Sequence, residues 1–210
     1  MPKKILDELL ERYPELEYLR EDISKAFSLI CNAFESGGKL LVCGNGGSAA
    51  DADHIVGELM KGFLLKRPLP VNEKEKLRAA GDATGIGDHL QIGLPAINLC
   101  AQSGLMTAFI NDCNADDVFA QQVYAYARNS LDILLGLSTS GNSRNVVNAV
   151  ITARAIGIPS VAITGKKESK LSSLATVCLR LPSDETFKVQ EYTLPVYHCL
   201  CAMVEQYFFG

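Results

Sequence analysis

Two short Gly/Ser loops constrain this chain most, because each follows an apolar run that reads as a strand and precedes a stretch with helical spacing. In the first, Leu40-Leu41-Val42-Cys43 leads into Gly44-Asn45-Gly46-Gly47-Ser48, with helical spacing over 49–59. In the second, Ile133-Leu134-Leu135-Gly136-Leu137 leads into Ser138-Thr139-Ser140-Gly141-Asn142-Ser143, with helical spacing over 146–156. Strand, glycine-containing polar loop and helix is how an α/β protein builds an anion site. Glycine lets the backbone approach the ligand, and the helix offers free N–H groups with partial positive charge. Two such loops in a small chain point to a ligand with a phosphate and a polar remainder.

The rest of the chain alternates in the same way. Strand candidates lie at 39–43, 96–100, 133–137, 159–163 and 177–181. Helical stretches lie at 48–63, 117–128, 143–156 and 187–208, with a short one near 168–174. One or two amphipathic helices precede them within 1–36, broken at Pro14 and ending at Gly37-Gly38. This is an α/β pattern with a mainly parallel sheet covered on both faces, and both loops fall at carboxyl ends of strands, where such folds bind ligands. Residues 66–94 break the rhythm: Lys66-Arg67-Pro68-Leu69-Pro70, a short charged helix at 72–80, then four glycines from Gly81 to Gly93. So long a connection reads as an insertion, either a surface excursion or a lid or interface element beside the site.

At 210 residues the chain suits a single domain, 1–210, and 48% apolar residues are enough for a sizeable core. A net charge of −4, without a Lys/Arg cluster, argues against nucleic acid as the main partner. The N-terminus, Met1-Pro2-Lys3-Lys4-Ile5, runs into charged helix instead of an apolar signal core. No apolar run approaches the ~20 residues that span a bilayer. Seven cysteines, without C-x-x-C spacing, read as reduced thiols of a cytoplasmic protein.

Two side-chain clusters bear on chemistry. His54 and Glu58, four apart on the helix after the first loop, share a face. Such a pair is usually a surface contact, but the chain has only three histidines and this one follows an anion loop. Near the C-terminus, Gln190 and His198 are eight apart on a helix that Pro195 should kink, because proline cannot bond the Glu191 carbonyl.

Together these segments resemble the sugar isomerase (SIS) fold and, within it, the phosphoheptose isomerases. The resemblance rests on Cys43-Gly44-Asn45-Gly46-Gly47-Ser48, His54-x-x-x-Glu58, Ser138-Thr139-Ser140-Gly141-Asn142-Ser143 and Val189-Gln190-Glu191 with His198 beyond. It also takes in Arg67-Pro68, Asn111-Asp112 and Ile163-Thr164-Gly165. It implies a three-layer sandwich around a five-stranded, mainly parallel sheet with added N-terminal helices. It further implies that Ser138, Thr139, Ser140 and Ser143 cradle a phosphate, and that Asn45, Gly46, Gly47, Ser48, Asn111 and Asp112 hold the sugar chain. Glu58 and His198 match the acid–base pair, with Glu58 and Gln190 also facing substrate. His54, Glu58, Gln190 and His198 match positions that bind zinc.

The implied reaction converts sedoheptulose 7-phosphate to D-glycero-D-manno-heptose 7-phosphate through an enediol, in a homotetramer. The N-terminal helices agree with assembly, since Ile5, Leu9, Leu10, Leu16, Leu19, Ile23, Phe27 and Ile30 carry more apolar surface than one sheet face needs. Departures from the family pattern are Gly62 where a basic residue often precedes the aromatic, Lys188 for Arg, Thr193 for His, Pro195, and the long 66–94 segment. The alternatives are a non-catalytic SIS adaptor or regulator, which would lose the acid–base groups, and an isomerase of another phosphosugar.

Overall fold

Near-continuous apolar runs, as parallel strands buried on both faces require, build the centre of the molecule. In the computed structural model, which describes residues 2–127 and 131–210, these are β1 (Leu40–Cys43), β2 (Ala96–Asn98), β3 (Ile133–Ser138), β4 (Ser160–Thr164) and β5 (Val177–Arg180). They pair in the order β2-β1-β3-β4-β5, every pair parallel, with Leu40 opposite both Ala96 and Ile133. β2 is shorter than the expected 96–100 because the Asn98 side chain accepts the Cys100 N–H at 2.8 Å and turns the chain.

Alternate residues of each strand feed opposite layers. Leu40, Val42, Ile133 and Leu135 join the core under α1 (Pro2–Arg12), α2 (Arg20–Glu35), α3 (Gly47–Met60) and α10 (Thr186–Phe209). Leu41, Cys43, Leu134 and Ala162 face α7 (Val118–Tyr126) and α8 (Arg144–Ala155). The result is the expected three-layer sandwich. A 3-10 turn at Pro14–Leu19 joins α1 to α2, so the break falls at Pro14 as expected. The expected surplus of apolar surface there is not found. Leu9, Leu10, Leu16, Leu19, Ile23 and Ile30 are buried within this one chain, because α2 packs on the sheet and both helices pack on α10.

The 66–94 segment is folded. It contains α4 (Val71–Ala79) and α5 (Ile86–His89), and an antiparallel bridge between Pro68 and Gln91 closes its neck. The Asp82 carboxylate accepts the N–H groups of Ile86, Gly87 and Thr84, which hold its pKa down at about 2. Lys74 reaches Asp88 at 2.9 Å.

Three further boundaries differ from expectation. α6 (Ser103–Asp112) was not foreseen; none of its residues is buried, although Met106 and Phe109 pack against the core. The predicted helix at 117–128 is α7, ending at Tyr126; its last expected residue, Arg128, lies outside the described residues. α10, expected at 187–208, spans Thr186–Phe209 with Pro195 inside it. α9 (Lys170–Leu174) is the short helix expected near 168–174.

Candidate active site

The strand order reverses between β1 and β3, and the two Gly/Ser loops leave those two strands side by side. Ligands of open α/β sheets sit at such a switch point. The loops clasp each other: the Asn45 and Asn145 carboxamides exchange two hydrogen bonds of 2.9 Å. In the second loop the Ser138 hydroxyl lies 2.9 Å from that of Ser143 and 3.5 Å from that of Ser140. The Ser140 hydroxyl accepts the Asn142 N–H at 3.1 Å, and Thr139 accepts the Gly165 N–H through its carbonyl. The Ser143 side chain does not cap α8, and in its first turn only the Val146 N–H is taken by a side chain, that of Asn145 at 3.0 Å. Three hydroxyls thus gather at an open helix N-terminus, a setting suited to a phosphate.

The first loop delivers α3, with Ser48 buried in its first turn, and α10 lies beside it. Gly47 is where the two helices touch: a Cβ there would sit 2.3 Å from the Gln190 carboxamide nitrogen. Further along, His54 Nε2 lies 3.0 Å from Glu58 Oε1 and 3.4 Å from His198 Nε2. Glu58 Oε2 accepts from Lys61 Nζ at 3.3 Å. The Glu58 side chain is 14% exposed and that of His54 42%, so the cluster faces the surface with its carboxylate partly shielded. Burial, together with neighbouring His54, lowers the pKa of His198 against the opposing pull of Glu58. Its neutral form is therefore favoured at pH 7.

His54, Glu58 and His198 are thus brought together, and Ser138, Ser140 and Ser143 form their own group. Asn45 spans the two loops, and Gly46 turns the chain into α3 at φ +57°. Gln190 rests on Gly47, and no hydrogen bond joins it to the histidines. Asn111 and Asp112 are exposed at the end of α6, and among the described residues their side chains bond only to each other, at 2.8 Å.

Sequence reasoning missed two groups. The Tyr197 hydroxyl stands 2.9 Å from His54 Nδ1, with Asp51 against it. Burial and Asp51 push the Tyr197 pKa well up, while burial raises that of Asp51 against the bonding of Tyr197 and the pull of His54. The signal was there: Asp51 precedes His54 by one helical turn and Tyr197 adjoins His198. The second group is Arg67 with Glu205, both buried. The Glu205 carboxylate accepts the N–H groups of Phe63, Leu64 and Leu65, which end the α3 region at Met60 instead of the expected residue 63. Burial would raise its pKa, but those N–H groups and Arg67 hold it below the usual value.

Fold and loops together define a SIS-type domain: the family model described as "SIS domain" matches residues 6–74 and 75–165. The break in that match falls inside α4, within the 66–94 segment. The phosphoheptose isomerase of Alkalilimnicola ehrlichii is 38% identical over 198 residues, covering 93% of this chain and 88% of that one. Among solved structures, phosphoheptose isomerase GmhA from Neisseria gonorrhoeae superposes with a TM-score of 0.74 at 31% identity, over 95% of this chain and 94% of that one. A phosphoheptose isomerase from Francisella tularensis gives 0.73 at 32% identity, over 89% and 86%. The chain belongs to the phosphoheptose isomerase family of SIS-domain proteins.

Proposed function

We propose that this protein converts sedoheptulose 7-phosphate to D-glycero-D-manno-heptose 7-phosphate, with Glu58 and His198 as the proton-transfer pair. The observation that carries the residue assignment is the meeting of those two side chains, from α3 and α10, on either side of His54. A proton on the carbon next to a carbonyl is a weak acid, so its removal needs a positioned base and stabilised charge on oxygen. In the reaction one proton leaves C1 and one arrives at C2, while a hydroxyl proton passes between the oxygens of the two carbons. No oxidant or reductant is consumed. A carboxylate and a neutral imidazole are the groups suited to these transfers at pH 7. Ser138, Thr139, Ser140 and Ser143 take the phosphate. Asn45, Gly46, Gly47 and Ser48 take the sugar chain with Gln190, and Asn111 and Asp112 complete the set the resemblance implies. Incubating the purified protein with sedoheptulose 7-phosphate and following aldose formation by NMR tests the reading; absence of the aldose product rejects it.

Zinc suits the donor chemistry of His54, Glu58 and His198, with Gln190 as the fourth donor. Two of their separations, 3.0 and 3.4 Å, lie near the ~3.3 Å between ligands of a tetrahedral ion bound at about 2.0–2.1 Å. The Tyr197 hydroxyl on His54 Nδ1 is an orienting partner of the kind metal-bound histidines use. As the side chains stand, no group of three His, Cys, Asp or Glu among the described residues is placed to hold an ion, so binding requires them to turn. When bound, the ion supplies Lewis-acid stabilisation of charge on the substrate oxygens. His54→Ala is expected to weaken zinc binding by about 10- to 100-fold in equilibrium dialysis, by analogy with other losses around metal sites. Equal retention by the variant refutes the ligand set.

Assembly as a homotetramer is the second part of the proposal. Its support within the chain is α6, where Leu105 and Ile110 are more than 40% exposed and no residue is buried. Light scattering at micromolar concentration should give a tetramer mass; a monomer overturns it. A cytoplasmic setting fits a phosphorylated substrate, and no helix among the described residues is long and apolar enough to cross a membrane.

A further inference from the structure

Arg67 is among the largest fully buried side chains of the molecule, at 2% exposure, and its partner Glu205 is at 1%. A buried ion pair is poor evidence of stability, because well-packed apolar residues of the same volume commonly do as well or better. What this pair holds is more informative. Glu205 Oε1 accepts from the Phe63 N–H at 2.7 Å and from Arg67 Nε at 2.8 Å. Its other oxygen accepts from Leu64 at 2.7 Å and Leu65 at 3.0 Å. The remaining arms of the Arg67 fork donate to the carbonyls of Leu59, at 2.8 Å, and Glu58, at 3.3 Å. Those are carbonyls of the last turn of α3, which have no partner within the helix.

We infer that the Arg67–Glu205 pair positions both proton-transfer groups, an inference that rests on the assignment of Glu58 and His198 above. One connection runs from Glu205 through the Arg67 guanidinium to the backbone of Glu58. The other runs through Phe63, whose N–H is held by Glu205 and whose ring lies 5.5 Å from the His198 ring. Glu205 also stands about two turns after His198 on α10, so one rigid helix carries both. The inserted segment is rooted at the same point. The Arg67 carbonyl accepts from Ile92 at 2.8 Å, the Leu59 carbonyl from Leu94 at 2.9 Å, and Gln91 Oε1 from the Gly62 N–H at 2.8 Å. Glycine at 62 belongs to this device, since a Cβ there would sit 2.3 Å from the Leu65 carbonyl oxygen. Lysine could keep the charge of Arg67 but has no planar fork to hold a carboxylate and two carbonyls at once.

The test compares Arg67→Lys and the apolar double variant Arg67→Met/Glu205→Leu with wild type and with Glu58→Gln, using sedoheptulose 7-phosphate as substrate. Thermal midpoint, kcat and KM are measured for each. In Arg67→Lys, kcat should fall by about 10- to 100-fold, the usual effect of displacing a reacting group by around 1 Å, with KM changed by less than about threefold. The double variant should recover thermal stability relative to Arg67→Lys yet keep the low kcat. A kcat that returns together with stability makes the pair purely structural, and a folded Arg67→Lys with wild-type kcat overturns the inference directly. Should the double variant fail to fold, the kcat-against-KM split of Arg67→Lys decides. Wild-type turnover in Glu58→Gln would instead reject the assignment of the base. Loss of turnover in Glu58→Gln with full turnover in Arg67→Lys rejects the positioning role alone.

Discussion

Glu58→Gln is expected to lower turnover by about 10²–10⁴-fold while sugar-phosphate affinity and fold stay close to wild type. Glutamine keeps the length and shape of the side chain, and its carbonyl oxygen can still accept from Lys61 or His54. It cannot take a proton from carbon at neutral pH. The native carboxylate is held on both oxygens, by His54 Nε2 at 3.0 Å and Lys61 Nζ at 3.3 Å, so the change removes basicity without freeing a disordered side chain. His198→Ala should cost a similar factor. The double variant should be little worse than either single one, because members of one catalytic unit do not contribute additively. NMR of aldose formation and a binding measurement on each variant separate the chemical step from affinity. Turnover near wild type in Glu58→Gln would remove Glu58 from the proton-transfer pair and favour a non-catalytic phosphosugar-binding role.

The parts of this site that were legible in the sequence are those fixed by local rules. β1 and β3 are short continuous apolar runs ended by Gly/Ser loops, and the His54–Glu58 spacing is one helical turn. Both survive intact in the structure. What was not legible depends on partners far away in the chain. α3 stops at Met60 because Glu205, more than 130 residues later, gathers the N–H groups of Phe63, Leu64 and Leu65. Nothing within 60–65 announces this. Tyr197 adjoins His198 in the sequence, but only the packing of α10 on α3 brings its hydroxyl to His54. The N-terminal helices misled in the opposite sense. Sequence displays how apolar a face is and not what covers it, and here the sheet and α10 already do. Gly62 and the long 66–94 segment looked like two unrelated departures from the family pattern. They are coupled, since the Gly62 N–H donates to Gln91 at the neck of that segment.

The phosphate loop offers the second large effect. Gly141→Ala should reduce kcat/KM by on the order of 10²-fold, carried mainly in KM, because one or more hydrogen bonds to a charged ligand, each about 1.5–3 kcal/mol, would be lost. Gly141 has φ +65°, where an L-residue costs roughly 1–2 kcal/mol. Space is the sharper constraint: a Cβ would lie 2.1 Å from Ser169 Oγ and 3.2 Å from Thr164 Cγ2. Ser169 cannot simply step aside, since it makes the capping box of α9 with Ser172. The Leu171 N–H also bonds the Gly141 carbonyl at 3.1 Å, and the Lys170 N–H bonds Asn142 Oδ1 at 3.1 Å. The loop must therefore move, taking with it the Ser140 and Ser143 hydroxyls and the open end of α8. Gly157→Ala is the matched control. Gly157 has φ +80° with nothing within 4 Å of the added carbon, and it lies at the far end of α8 from the loop. Both variants should lose a little thermal stability from backbone strain, and only Gly141→Ala should lose affinity for sugar phosphate. Unchanged KM in Gly141→Ala, or an equal loss in Gly157→Ala, would place the phosphate elsewhere.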